Sequence, residues 1–310
     1  MTSGGIQVNG LVKRFGDNTA LDGVTFDVGR GEVLGLLGPN GAGKTTTVNI
    51  LSTLLRPDAG TATVDGADIL ADPESVRRSI ALTGQFAALD DALTGQENLA
   101  LFGRLRGLSR GAATARADEL LNRFELDDAA DGRVSSYSGG MRRRLDLAAS
   151  LVLDVPILFL DEPTTGLDPR SRATLWDMVR ELRSEGRTII LTTQYLEEAD
   201  QLADRIVLID KGMVATEGTP DDLKRNAGGQ SCVVKPVDPG TLEQVAKLLD
   251  DRQGVSVDTD LGIVTVPDTE AGDLSSILQR LSDAGIEVAD VSLRRPTLDE
   301  VFLELTGGSE

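Results

Sequence analysis

Short apolar runs alternate with stretches of helical periodicity over about the first 225 residues. Four runs have the length and aliphatic content of strands buried on both faces: Val33–Leu37, Ile157–Leu160, Thr188–Thr193 and Ile206–Ile209. This alternation predicts an α/β fold with a largely parallel sheet. Between about Leu93 and Leu153 the strand signal vanishes and helical periodicity dominates, which predicts a helical insert at about residues 90–153.

A second domain is predicted after the linker-like segment Asn226–Gln230, so that residues 1–228 and 229–310 form separate domains. The later elements are predicted in the order strand (Cys232–Val237), helix (Thr241–Asp250), strands (Val255–Val257 and Ile263–Val266), helix (Ala271–Ala284) and strand (Ile286–Val291). This β-α-β-β-α-β order predicts a small α+β domain of the ferredoxin-like kind.

A last helix is predicted after Pro296. Thr297 and Glu300 have the spacing of a capping box, and Gly307 stands where a C-cap glycine is expected. The apolar face of this helix consists of Leu298, Val301, Phe302 and Leu305. Two interpretations stay open: the face packs on its own domain, or it contacts a second copy or another partner.

The composition excludes several classes of protein and of active-site chemistry. The net charge of -19 argues against a protein that coats nucleic acid, and the region 231–310 carries 16 acidic and 6 basic residues. Cys232 is the only cysteine, which excludes an internal disulfide, and it is expected to be a core residue. The absence of histidine removes imidazole chemistry. Without a signal-peptide pattern or an apolar run of about 20 residues, the chain is expected to be cytosolic and to reach membranes only through a partner.

A glycine-rich segment between the strand Val33–Leu37 and a helical pattern fits G-x-x-x-x-G-K-[ST]. Its glycines let successive N–H groups converge on phosphate oxygens, aided by the helix N-terminus. Lys44 is predicted to supply charge to the phosphates and Thr45 a hydroxyl ligand to Mg²⁺. The predicted nucleotide-binding residues are Gly38, Pro39, Asn40, Gly41, Ala42, Gly43, Lys44, Thr45 and Thr46.

Two adjacent carboxylates follow the apolar strand at Ile157–Leu160. Asp161 is predicted to hold Mg²⁺ and Glu162 to act as the general base toward the attacking water. Side chains of adjacent strand residues point to opposite faces, so the strand must end here, and Pro163 ends it.

The segment Tyr137–Met141 precedes an amphipathic run and lies about seventeen residues before the start of the strand that ends in the paired carboxylates. In this ordered set the chain resembles the ABC ATPase family, whose LSGGQ signature appears here as YSGGM. The resemblance covers residues 6 to about 225 and implies a P-loop NTPase cassette, a RecA-like core with a helical insert, that uses ATP and Mg²⁺. It also implies that Ser138, Gly139 and Gly140 contact ATP bound to a second copy.

The resemblance implies further roles. Phe15 matches the aromatic residue that stacks on adenine, although alone it would more often be a core residue. Gln85 matches the glutamine that reaches Mg²⁺, and Asp168 lies in the loop that lines the dimer seam. Gln194 stands where the family usually has histidine. Its amide can position water but cannot shuttle a proton, so we expect Glu162 to act unaided and turnover to be slower than with histidine.

The segments Thr192–Asp200 and Pro296–Leu303 narrow the resemblance to daunorubicin-resistance-type bacterial exporter ATPases. This implies a homodimer beneath a separate integral membrane permease, at the cytoplasmic face of the membrane, that moves an amphipathic drug or lipid-like compound outward. Residues 229–310 would then be a regulatory or dimerisation domain. The apolar residues from Phe86 to Leu105 are either core or the permease contact. A soluble ABC-type ATPase acting on nucleic acid or ribosomes, a non-hydrolysing switch and an importer are the alternatives.

Overall fold

The structure is a computed structural model that describes residues 5–84, 89–226, 229–250, 254–267, 269, 272–295 and 297–306. It divides into two compact units, Met1–Thr219 and Pro220–Glu310. The division lies before the predicted boundary at 228, because the helix Pro220–Asn226 packs on the helix Leu298–Thr306 within the second unit.

The strands of the first unit are β1 (Ile6–Phe15), β2 (Asn18–Val28), β3 (Val33–Leu37), β4 (Ala59–Val64), β5 (Ala67–Asp68), β6 (Ile80–Thr83), β7 (Ile157–Asp161), β8 (Thr188–Thr193), β9 (Arg205–Asp210) and β10 (Met213–Gly218). Its helices are α1 (Lys44–Leu51), α2 (Pro73–Ser79), α3 (Gly95–Leu105), α4 (Arg110–Arg123), α5 (Gly139–Ser150), α6 (Pro169–Ser184) and α7 (Leu196–Leu202). The second unit contains α8 (Pro220–Asn226), β11 (Ser231–Pro236), α9 (Leu242–Leu249), β12 (Ser256–Asp258), β13 (Ile263–Val266), α10 (Leu274–Asp283), β14 (Val288–Arg294) and α11 (Leu298–Thr306).

The main sheet has the order β10-β9-β3-β8-β7-β6. Strands β9, β3, β8, β7 and β6 run parallel, and β10 adds an antiparallel edge. Every residue of β3, β7 and β8 is buried, because helices or other strands cover both faces. The predicted parallel α/β core is confirmed.

An antiparallel sheet with the order β2-β1-β4-β5 packs against the same core. The buried residues of this sheet include Ile6, Val8, Phe26 and Val64, which lie in one cluster with Leu34 of β3. Sequence analysis did not identify this sheet.

The main elements of the described residues between β6 and β7 are the helices α3, α4 and α5. A buried cluster that includes Leu99, Leu120, Phe124 and Leu145 holds these helices together. Helix α3 begins with a complete capping box between Thr94 and Glu97, which satisfies two N–H groups of its first turn.

The second unit has a four-stranded antiparallel sheet in the order β12-β13-β11-β14. Because β13 lies between β11 and β12, this is the split arrangement of the ferredoxin-like fold, as predicted. Cys232 is buried in its core. Thr297 and Glu300 form the predicted capping box of α11, at 3.0 and 3.4 Å. Gly307 and the side chain of Leu305 lie outside the described part of the chain.

Candidate active site

The predicted functional segments meet at one edge of the main sheet. In the strand register, Leu37 of β3 lies beside Thr193 of β8, and Asp161 of β7 lies beside Thr192. These residues are at or next to the carboxyl ends of parallel strands, where ligands bind in open α/β sheets. The glycine-rich loop, the paired carboxylates and Gln194 therefore leave the sheet side by side. Gln85 lies outside the described residues.

The loop from Gly38 to Gly43 needs glycine at its two ends for steric reasons. A Cβ on Gly38 would lie 2.2 Å from the Ile209 carbonyl oxygen. Gly43 has φ +114°, and a Cβ there would lie 2.6 Å from the Leu21 side chain. The main chain can thus wrap closely in front of α1, which begins at Lys44. This is the geometry of a loop whose N–H groups bind phosphate.

Lys44 extends back into this loop. Its Nζ donates to the carbonyl oxygens of Gly38 at 2.6 Å and Pro39 at 3.0 Å, and the residue is buried. Burial lowers the pKa of Lys44, whereas the nearby charges of Glu162 and Asp161 raise it. The cation is thus held where the loop would surround phosphate, with both carboxylates close enough to influence it.

Two hydroxyl groups converge on the carboxylate of Asp161, that of Thr45 from α1 and that of Thr192 from β8. Thr45 Oγ1 donates to Asp161 Oδ1 at 3.3 Å, and Thr192 Oγ1 donates to the same oxygen at 2.5 Å. Hydroxyl and carboxylate oxygens are ligands that Mg²⁺ prefers, and Mg²⁺ usually takes few protein ligands together with phosphate oxygens and water. Thr45 and Asp161 therefore fit the predicted metal role. The described residues hold no cluster of three or more histidine, cysteine or acidic side chains that suits a metal bound by protein alone.

Glu162 is the first residue beyond β7 and has φ +48°, a left-handed conformation that is uncommon for a residue other than glycine. Its N–H donates to Thr192 Oγ1 at 3.0 Å and to the Thr192 carbonyl oxygen at 3.1 Å. Thr165 Oγ1 donates to Glu162 Oε2 at 3.2 Å. The turn breaks the alternation of the strand, so this carboxylate need not point into the core opposite Asp161.

Gln194 directly follows β8 and is half-buried. The segment around it is anchored on both sides: the Tyr195 N–H donates to Thr193 Oγ1 at 2.9 Å, and the Tyr195 ring lies 5.3 Å from the Arg172 guanidinium. Further along α7, Glu198 is buried and accepts a hydrogen bond from Trp176 Nε1 at 3.2 Å. Burial raises the pKa of Glu198. Gln194 thus lies two residues beyond Thr192, which pairs with Asp161, in a segment anchored by Tyr195.

Phe15 ends β1 with 49% of its surface exposed, so it is not a core residue. Lys13 Nζ lies 5.5 Å from the ring centroid and is held by hydrogen bonds to the Arg56 carbonyl and Asp58. An exposed aromatic face of this kind can stack on a nucleotide base.

The signature segment begins α5. Ser138 is the N-cap and accepts a hydrogen bond from the Met141 N–H at 3.3 Å. Gly140 packs tightly on α6, where a Cβ would lie 2.4 Å from Ser171 Oγ. Ser171 Oγ donates to Asp168 at 2.6 Å, and this bond, together with that from the Ser171 N–H, lowers the pKa of Asp168. The signature and the Asp168 loop therefore pack against each other within one chain.

Two residues were missed by sequence analysis. Thr192 joins Asp161 to the Glu162 N–H, and Arg143 of α5 donates to the carbonyl oxygens of Asp161 and Pro163. The run of three arginines at 142–144 gave no indication of which guanidinium turns inward. For Thr192, only the register between β7 and β8 reveals the contact.

A parallel sheet with a phosphate-binding loop, paired carboxylates and a helical insert defines a P-loop nucleotide-binding cassette. The chain belongs to the ABC transporter family, as an ATP-binding subunit, and is an ATPase. The family model described as "ABC transporter" matches residues 21–165, and that described as "ATP-binding protein DrrA1-3-like, C-terminal domain" matches residues 218–306.

Similar proteins cover nearly the whole chain. The "Daunorubicin resistance ATP-binding protein DrrA3" of Streptomyces coeruleorubidus is 56% identical over 99% of this chain and 97% of that protein. The "Doxorubicin resistance ATP-binding protein DrrA" of Mycobacterium tuberculosis is 52% identical over 97% of this chain and 93% of its own length. A solved dimer of an ATP-binding cassette with ADP and Pi superimposes with a TM-score of 0.63 at 28% identity, covering 69% of this chain and 98% of that one.

Proposed function

We propose that two copies of this chain bind ATP with Mg²⁺ between them and hydrolyse it to drive a separate membrane permease that exports an amphipathic drug. The observation that carries the proposal is the Glu162 carboxylate on a turn beside Asp161, Lys44 and the glycine-rich loop. A protein that only binds nucleotide has no need of a second carboxylate held there.

Nucleotide binding uses the loop and the exposed aromatic ring. The N–H groups of residues 38–46 and the Lys44 ammonium bind the phosphates, while Phe15 stacks on the base. Lys44 exchanges its loop carbonyl partners for phosphate oxygens, which restores favourable charge pairing to a buried cation.

Thr45, Asp161 and Gln85 are the residues that would hold Mg²⁺. The ion, when bound, supplies positive charge that offsets the charge developing on the phosphate oxygens. The adjacent oxygens of Thr45 and Asp161 support this assignment.

Hydrolysis requires a base for the attacking water. Glu162 takes the proton, and the Gln194 amide orients the water by hydrogen bonding. Gln194 has no titrating group, so the proton transfer rests on Glu162 alone. Before nucleotide binds, the hydrogen bond from Thr165 holds this carboxylate, and the bond from the Glu162 N–H to Thr192 holds its backbone.

A dimer forms the complete ATP sites that a single chain does not form. The chain has one phosphate-binding loop and one signature, and a two-fold arrangement brings the Ser138–Gly140 segment of one copy to the nucleotide of the other. The N-terminus of α5, with Ser138 as its cap, offers N–H groups to phosphate there. The dimer closes on two ATP molecules and reopens after hydrolysis.

Contact with a permease is proposed for the insert. Leu99 belongs to the core, whereas Leu101 and Leu105 of the same helix are exposed, Leu105 to 72%. No helix in the described segments has the length and apolar character needed to cross a lipid bilayer. A membrane protein that docks on this surface would hold the cassette at the cytoplasmic face. The names of the relatives support a drug as the exported substrate.

The test is affinity purification of the tagged chain from gently solubilised native membranes, with ATPase assays on the product. We expect a polytopic membrane protein in near-equal stoichiometry and ATPase activity that Glu162→Gln abolishes. Recovery of ribosomes or nucleic acid with an active ATPase would favour the soluble ABC-type alternative. Full activity of Glu162→Gln would contradict the hydrolytic mechanism.

A further inference from the structure

One guanidinium connects the signature helix to the turn that carries the predicted base. Arg143 is the fifth residue of α5, and its side chain is only 13% exposed. It donates from Nη2 to the Asp161 carbonyl oxygen at 3.0 Å and from Nε to the Pro163 carbonyl oxygen at 2.7 Å. It also donates from Nη1 to the Gly84 carbonyl oxygen, just beyond β6, at 2.8 Å.

The two carbonyls on the β7 side belong to the residues immediately before and after Glu162. A planar guanidinium that donates to both holds their relative orientation, because its N–H groups point in fixed directions. Glu162 itself has φ +48°, a conformation that persists only where its surroundings enforce it. Two different elements contact this turn: α5 through Arg143 and β8 through Thr192.

The charge of Arg143 is retained although it is buried. Asp146, one helical turn further along α5, lies 3.2 Å from Arg143 Nη1 and provides the counter-charge. Burial lowers the pKa of Arg143, and the charges of Asp146 and Asp161 oppose this. A charged donor forms stronger hydrogen bonds to carbonyls than a neutral one does, so the connection is stiff.

We infer that Arg143 is a positioning residue that fixes the backbone of Glu162 to the signature helix. Residues Ser138–Gly140, which face the partner's nucleotide, and the base of the chain's own site then move as one body. Hydrolysis in one site would thereby depend on how α5 sits against the nucleotide of the other. This inference rests on the proposed function, because it assigns Arg143 a role in the same site.

Arg144 provides a matched control from the same run of arginines. Its side chain is 19% exposed, and it also donates to main-chain carbonyls, but these belong to Phe124 and Glu125 within the insert. Removing either arginine costs hydrogen bonds to main-chain carbonyl oxygens. Of these two arginines, Arg143 is the one that donates to the residues flanking Glu162.

The experiment compares wild type, Arg143→Met and Arg144→Met by steady-state ATPase kinetics and by equilibrium binding of ATP. For Arg143→Met we expect kcat to fall about tenfold to a hundredfold, because the base is misplaced, while the Kd for ATP stays within about threefold. For Arg144→Met we expect kcat and Kd to remain within about threefold of wild type. Arg143→Lys should recover little of the kcat, because one ammonium cannot span the carbonyls on both sides of Glu162.

Arg143→Met leaves the Asp146 carboxylate buried without its partner and can fail to fold. The double variant Arg143→Met with Asp146→Leu removes both charges and is assayed in the same way. Wild-type kcat in either variant, equal losses in Arg143→Met and Arg144→Met, or a parallel loss of ATP affinity would overturn the inference. An inactive wild-type protein would instead contradict the proposed function.

Discussion

Asp146 gives the account a quantitative prediction that does not depend on nucleotide. The residue is 8% exposed on α5, and burial raises the pKa of its carboxyl to about 6 from an ordinary 3.8, although the adjacent Arg143 charge lowers it. The variant Asp146→Asn keeps the size and an acceptor oxygen for Arg143 but removes the titrating group.

The sign of the effect follows from proton binding. Near pH 5 the folded protein holds a proton on Asp146, whereas the unfolded chain has already lost it. Stability therefore falls as pH rises through the folded pKa of about 6. Between pH 5 and 7.5 this single group should lower the free energy of unfolding of the wild type by about 1.4 kcal/mol, a loss that Asp146→Asn avoids.

The assay is urea unfolding of wild type and variant at both pH values, followed by fluorescence. Trp176 is the only tryptophan and lies in the same unit as Asp146, so the signal reports the relevant unit. The free energy of unfolding of the variant minus that of the wild type should be about 1.4 kcal/mol larger at pH 7.5 than at pH 5. An equal difference at both pH values, or one of opposite sign, would refute the reasoning.

Three further predictions concern the site. Glu162→Gln should lower kcat about a hundredfold or more while ATP binding persists, as measured by turnover and nucleotide titration; retained turnover would contradict the base assignment. Gln194→Ala should lower kcat and Gln194→His should raise it, and an Ala variant with wild-type kcat would remove Gln194 from the mechanism. Gly140→Ala should destabilise the protein by about 1–3 kcal/mol, because its Cβ meets Ser171, and Ser171→Gly should restore part of that loss in thermal unfolding; no rescue would place the strain elsewhere.

Much of the fold followed from local patterns. The buried strands β3, β7 and β8 are short aliphatic runs bounded by turn residues. The glycine spacing of the loop at Gly38–Gly43, followed by Lys44 and Thr45, is specific for a phosphate-binding loop. The order of elements in the second unit also led to the correct sheet. The antiparallel sheet of β1, β2, β4 and β5 escaped prediction because its strands mix exposed and buried positions irregularly around several register shifts.

The candidate site was predicted as separate segments, and its internal connections were not. Pairing of Thr192 with Asp161 depends on strand register, and the inward turn of Arg143 depends on how α5 packs near the ends of β6 and β7. Neither is encoded in the local periodicity of the chain. Phe15 shows the same limit, since only the structure reveals that its ring is exposed.

The central claim is that each ATP site combines the phosphate-binding loop of one copy with the signature of the other. Its most direct test mixes two inactive variants, Lys44→Ala and Gly139→Asp. Each should lack ATPase activity alone, because one loses phosphate binding and the other loses the signature. In a mixed dimer, the Lys44 of one copy and the signature of the other form one intact site. Equal mixing with subunit exchange should give more activity than either variant alone and at most about a quarter of wild-type activity, because half of the dimers contain one intact site and the second site of those dimers is inactive. A mixture no more active than its separate components would contradict the account.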